Sequence, residues 1–219
     1  MIAGEKKIAP TQERVGEKKE IKSASDAVAG FEHQALVLER AITETEELAK
    51  TNPEKSAAQQ KDLEMHAAGL WLNIRIAQAS RVRLGDTPQE VGKNAERLNE
   101  IAEKLGSQPI DAYVYFLEKM LPEYSDAFGA IEEKLLKNKI TALDAQREQG
   151  QLGERLSDFI ERKVFLVQEM LEGRELKKMP KEEKDGLVER VQAVKKKALD
   201  MCRASDSFVQ SEQEKAEKK

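Results

Sequence analysis

Most of what marks a catalytic, secreted or membrane-spanning chain is scarce in this sequence. A single cysteine, Cys202, excludes an internal disulfide and a cysteine-built zinc cluster, and suits a reducing, cytoplasmic home. The two histidines, His33 and His66, have Gly30 and Leu63 three positions before them, so neither completes the Glu-x-x-His spacing with which helical bundles hold paired metals. Asp62 stands four before His66, a spacing that makes a surface contact more readily than half a metal site. No metal and no cofactor is expected. The chain also lacks a Gly-x-Ser-x-Gly elbow, a phosphate loop, a His-Glu-x-x-His pair and a calcium loop, which weighs against an enzyme. Its longest near-apolar run, Ala67 to Leu72, falls far short of the about 20 residues a membrane helix needs. The opening Met-Ile-Ala-Gly-Glu-Lys-Lys has no apolar core for a secretory signal, so a soluble protein away from membranes is expected. With 37 basic and 41 acidic side chains, the net charge of −4 supplies no global field toward nucleic acid.

What the sequence does contain is helical patterning. Aromatic residues are only 5% and charged residues 36%, a mixture poor in strand formers and typical of amphipathic helices. From Tyr124 to Met170, fourteen positions stepped alternately by four and three include eleven apolar ones: Tyr124, Phe128, Ile131, Leu135, Ala142, Ala145, Leu152, Leu156, Phe159, Leu166 and Met170. Asn138, Gln149 and Lys163 interrupt the seam. Gly150 and Gly153 lie inside it and cost about 1 kcal/mol each relative to alanine. Because the seam keeps its register across them, one kinked or weakened helix over 124–172 is favoured over a hairpin. Unbroken, 47 residues would span about 70 Å and overhang a bundle, and an overhanging apolar seam needs a partner.

The remaining chain divides into shorter helices. Residues 1–20 and 210–219 are charge-rich with few apolar anchors and read as flexible ends of a single helical domain over 21–209. A first helix fits Ile21 to Lys50 and stops at Thr51-Asn52-Pro53, and a second runs to Leu84 and closes at Gly85. Thr87-Pro88-Gln89-Glu90 combines an N-cap, a first-position proline and a capping-box glutamate, starting a third helix that ends at Gly106. A short fourth helix opens at Pro109 and is limited by Pro122, and a last one starts at Pro180 with Leu187, Val191, Val194, Ala198, Met201 and Phe208 on one stripe. The expected fold is an all-α, antiparallel bundle of six or seven helices.

Candidate sites follow from these faces. Leu152, Leu156, Phe159, Leu166 and Met170 form the partner interface expected of a non-enzymatic protein-interaction or assembly protein, a coiled-coil-like surface for another protein or a second copy. Residues 65–85 contain no acid and include Trp71, Arg75, Arg81 and Arg83; a buried central helix is the plainer reading, a Trp and Arg hot spot for a protein the sharper one. Arg81 and Arg83 lie about 240° and 80° round the helix from Arg75, so no single basic stripe forms and nucleic-acid binding is disfavoured. Lys195, Lys196 and Lys197 fan out in the same way and read as a solvated face. Tyr113, Tyr115, Phe116 and Tyr124 gather around Pro122; core packing explains them, and a small-ligand or enzymatic site at this junction is the alternative. Cys202 reads as a small buried thiol beside the last helix's stripe.

Overall fold

The computed structural model describes residues 24–79, 84–106, 108–173 and 179–217. Within them the chain is all-α, with no strand: α1 (Ala24–Ala49), α2 (Pro53–Ala79), α3 (Pro88–Leu105), α4 (Ile110–Leu136), α5 (Ala142–Asp158), a π-helical segment (Phe159–Val164), α6 (Phe165–Glu172) and α7 (Lys181–Glu217). The α5, π and α6 segments join end to end, so these elements form six continuous helical runs. Residues 1–20, together with Arg81 and Arg83, lie outside the described residues. Contacts cluster in two compact units, Met1–Phe116 and Leu117–Lys219, with the boundary inside α4.

In the first unit, local chemistry sets the helix ends. The Asn52 carboxamide oxygen accepts from the Lys55 N–H at 3.1 Å, and Pro53 follows it at the first helical position, so α1 and α2 are joined by a tight turn. Ser56 donates to the Thr45 carbonyl at 3.0 Å, tying the two helices beside that turn. The Thr87 hydroxyl and the Glu90 carboxylate cap each other's backbone at the start of α3. Its end is Gly106, at a positive φ of 66° that favours glycine. α1, α2 and α3 pack mutually around Val28, Ala35, Leu38, Ala67, Leu70, Ile74, Leu98, Ile101 and Ala102. The Asn94 amide donates to the buried Leu84 carbonyl at 2.7 Å, and Arg97 grips Glu32 through two bonds of 2.8 and 2.6 Å. α2 is the central element: Met65, Ala67, Ala68, Gly69, Leu70, Leu72 and Ile74 are all buried. Gly69 allows the Phe116 ring to lie directly on the helix, where an added Cβ would sit 2.3 Å from Cε2.

The second unit departs from the single long helix. Its seam is broken at Asn138, well before the glycine pair. Asn138 takes a positive φ of 53°; its N–H donates to the Leu135 carbonyl at 2.9 Å, and the Lys139 N–H donates to the Lys134 carbonyl at 2.8 Å. These two bonds make a Schellman C-cap with asparagine in the place glycine usually takes. Three residues on, Thr141 and Asp144 form a reciprocal capping box that starts α5. Gly150 and Gly153 sit inside α5, which runs through both.

Pro122 also fails to stop a helix, since α4 continues to Leu136. An interior proline costs about 3 kcal/mol. Here it lies on the exposed side, while Leu117, Leu121, Tyr124, Phe128 and Ile131 bury the opposite face and outweigh the lost backbone bond. α5 and α6 pack on α7. Gln146 meets Gln213 and Phe165 meets Lys195, so the α5–α6 run and α7 are antiparallel. α7 continues through Ser211 to Glu217, past the end that composition suggests, and the Gln213 side chain donates to Gln146 of α5 at 2.9 Å.

Candidate functional site

The three polar interruptions of the 124–170 seam each mark a structural event. Asn138 is the turn. Gln149 keeps its seam position and is 4% exposed, with an Nε2 that finds no hydrogen-bond acceptor. Lys163 lies in the π-helical segment, where one additional residue enters the turn and rotates everything downstream. Upstream the buried positions are Ala145, Gln149, Leu152, Leu156 and Phe159, as the spacing implies; downstream they are Ile160, Val164, Val167 and Leu171, the last three each one residue later than Lys163, Leu166 and Met170. The bulge thus keeps a lysine out of the core and puts a valine in its place.

The proposed interface residues consequently separate into two groups. Leu152, Leu156 and Phe159 are buried within the second unit. Leu166 and Met170 are turned partly off the core and are half-buried. Beside them Phe165 is 46% exposed, with the Lys195 ammonium 4.8 Å from its ring centroid. On α7, Val188 and Leu199 are also exposed, eleven positions apart and therefore within about 20° of one helical face. Sequence reasoning missed Phe165, Val188 and Leu199 because they lie off the stripes that pack inward. Their signal is a second three- and four-spaced set, Val188, Lys195, Leu199 and Cys202, one position after the stripe of buried Leu187, Val194 and Ala198 and partly buried Met201.

The aromatic candidates fall into two clusters. In the first unit Trp71 meets Tyr113 edge-on at 5.5 Å and 73°, and the Arg75 guanidinium lies 4.8 Å from the Trp71 ring. Arg75 donates to the Gln78 side-chain oxygen at 3.1 Å, and Gln78 donates to Asn99 on α3 at 2.7 Å. Tyr115 is half-buried, with the Lys61 ammonium 4.9 Å from its ring. In the second unit Tyr124 packs on Phe159 at 5.6 Å, and its hydroxyl donates to the Arg155 carbonyl at 3.4 Å. Burial pushes the Tyr113 phenol up and the Tyr124 phenol up to about 12, so both stay protonated. Tyr113 and Tyr124 thus serve packing at separate places along α4.

Other candidate chemistry is quiet. Cys202 is half-buried, and burial together with Asp206 raises its pKa, the reverse of an activated thiolate. His33 is exposed and His66 half-buried. Among the described residues no cluster of three His, Cys, Asp or Glu side chains is placed to hold a metal, and no helix is long and apolar enough to cross a membrane.

Fold and site together define an all-α protein whose most distinctive surfaces are apolar and cation–aromatic faces on helices. Comparison with protein-family models, with curated proteins and with solved structures returns no match.

Proposed function

We propose that this is a non-enzymatic helical interaction or assembly protein, cytoplasmic in keeping with its lone thiol, that works by burying an apolar face of its second unit against a helix of another protein or of a second copy. The observation that supports this reading is the one-residue shift at Phe159–Val164, which releases Leu166 and Met170 from the core beside the exposed Phe165. Val188 and Leu199 on α7 extend the apolar surface. A helix laid there would present anchors at three and four spacing, and the contact uses the end of the original seam while Leu152, Leu156 and Phe159 hold the unit together. A small-ligand or enzymatic role for the Tyr113–Tyr124 stretch has less support, because the hydroxyl of Tyr124 is engaged and both rings are buried. Nucleic-acid association has less still, with Lys195 drawn onto Phe165.

The test is a Phe165→Glu, Leu199→Glu double variant. Mass by light scattering over a concentration series reads self-association, and photocrosslinking from position 170 reads a foreign partner. Loss of the complex with unchanged far-UV circular dichroism supports the proposal; a double variant that assembles and crosslinks like the parent sinks it.

A further inference from the structure

Two arginines show what a guanidinium fork does when this fold satisfies it. Arg97 donates two bonds to Glu32, at 2.8 and 2.6 Å, and Arg190 donates two to Glu118, both at 2.8 Å. Such paired bonds to a carboxylate are the strong, geometrically specific use of arginine. Arg75 is positioned by different partners, neither of them a carboxylate. It stacks on Trp71 at 4.8 Å and donates to Gln78 at 3.1 Å, while Gln78 is anchored through Asn99 and Trp71 through Tyr113. Among the described residues it makes no ion pair, and α2 carries no acid from Met65 to Ala79.

We infer that the Trp71–Arg75–Gln78 face of α2 is a docking point for an acidic peptide segment of a partner protein, whose Asp or Glu carboxylate takes the place at Arg75 that Glu32 takes at Arg97 and Glu118 at Arg190. The partly buried Trp71, packed against the core of the first unit, offers its remaining surface as the adjoining apolar contact, the pairing of tryptophan and arginine that recurs at binding hot spots. The charge around the face selects the occupant. Glu96 and Glu103 stand three before and four after Asn99 on α3, both exposed, so a polyanion such as nucleic acid meets repulsion one turn to either side. A peptide with a single carboxylate next to a large apolar side chain brings one charge instead of many and meets far less of it. This surface belongs to the first unit and is independent of the Phe165 face.

Trp71 is the only tryptophan in the chain, so its emission reports this site alone. The experiment is selection of a random peptide display library on the full-length protein, followed by titration of the enriched synthetic peptides against Trp71 fluorescence. Enriched peptides should carry Asp or Glu beside an apolar residue. Replacing that acid by its amide in the peptide should weaken binding at least tenfold, Arg75→Gln should do the same, and the two changes together should cost little more than either. Arg75→Lys, which keeps the charge and loses the fork, should fall between. Because Arg75 is exposed, circular dichroism of these variants should match the parent, and Phe165→Glu should leave the titration unchanged. The inference is overturned if no acidic peptide is enriched, if Arg75→Gln binds as well as the parent, or if single-stranded RNA rather than peptide shifts Trp71 emission in 150 mM salt.

Discussion

The two units of this chain bury polar groups in opposite ways. In the first, the buried Ser56 hydroxyl and Asn94 amide each donate to a specific carbonyl. In the second, the Gln149 amide and the Ser205 hydroxyl are 4% and 2% exposed and have no partner. The second unit also carries a π-helical segment directly after α5. A buried polar group without a partner costs about 1–3 kcal/mol. The difference teaches that apolar burial alone does not rank the two: each has its filled core, but the second spends part of that burial on local features that do not suit its helices.

The sharpest way to probe this is to remove core from each. Leu98 in the first unit and Leu156 in the second are both fully buried, and truncation to alanine should cost about 2–5 kcal/mol in either. Urea unfolding followed by circular dichroism measures the loss, and Trp71 fluorescence adds a probe confined to the first unit. If Leu156→Ala costs under about 1 kcal/mol, α5 is not packed as described.

Glycine to alanine should give opposite signs at Gly69 and at the two glycines of α5. At Gly69 the new Cβ would approach Phe116 to 2.3 Å, and crowding of about 1–3 kcal/mol should exceed the roughly 1 kcal/mol of gained helix propensity. At Gly150 and Gly153 nothing lies within 4 Å of the added methyl group, so each replacement should stabilise by about 0.4–1 kcal/mol. Gln149→Leu, close in shape and without the orphaned amide, should stabilise by about 1–3 kcal/mol. A net loss at Gln149 would mean that the amide is satisfied after all, and the contrast between the units would disappear.

The same contrast explains what the sequence discloses. First-unit boundaries are written in steric punctuation: Asn52-Pro53, the Thr87 to Glu90 box and Gly106 all read correctly because proline and glycine change the allowed backbone directly. The α4–α5 turn has neither residue. It rests on Asn138 adopting a left-handed conformation and on Thr141 and Asp144 capping each other, weak local signals that an apolar seam in unbroken register conceals. The interruptions were visible, yet a polar residue in a seam does not say whether it marks a turn, a buried amide or a bulge. Tertiary packing decides among them, as it also overrides Pro122. At the candidate sites, Trp71 and Arg75 were legible from composition. Their stacking, the link to Asn99 and the exposure of Phe165 and Leu199 depend on which helices come together.

The smallest effect should come from His66, half-buried on α2 in the better-satisfied unit. Desolvation lowers its pKa below the ordinary 6.5, with Asp62 one turn earlier offsetting part of the shift. In this case the unfolded chain binds the proton more readily than the folded one. Stability should be level above about pH 6.5 and decline as the pH falls through that value toward the depressed folded pKa, below which the penalty is complete. The carboxylate of Glu32 works in a lower window: hydrogen bonding to Arg97 holds its pKa below the ordinary 4.5, so its contribution is present above that value and is lost only in stronger acid. The urea midpoint read by Trp71 between about pH 7.5 and 5.5 should therefore drop in the parent and hold level in His66→Gln. Equal slopes in both would assign the pH response to other groups, and would show that the first unit accommodates a charged His66 without loss.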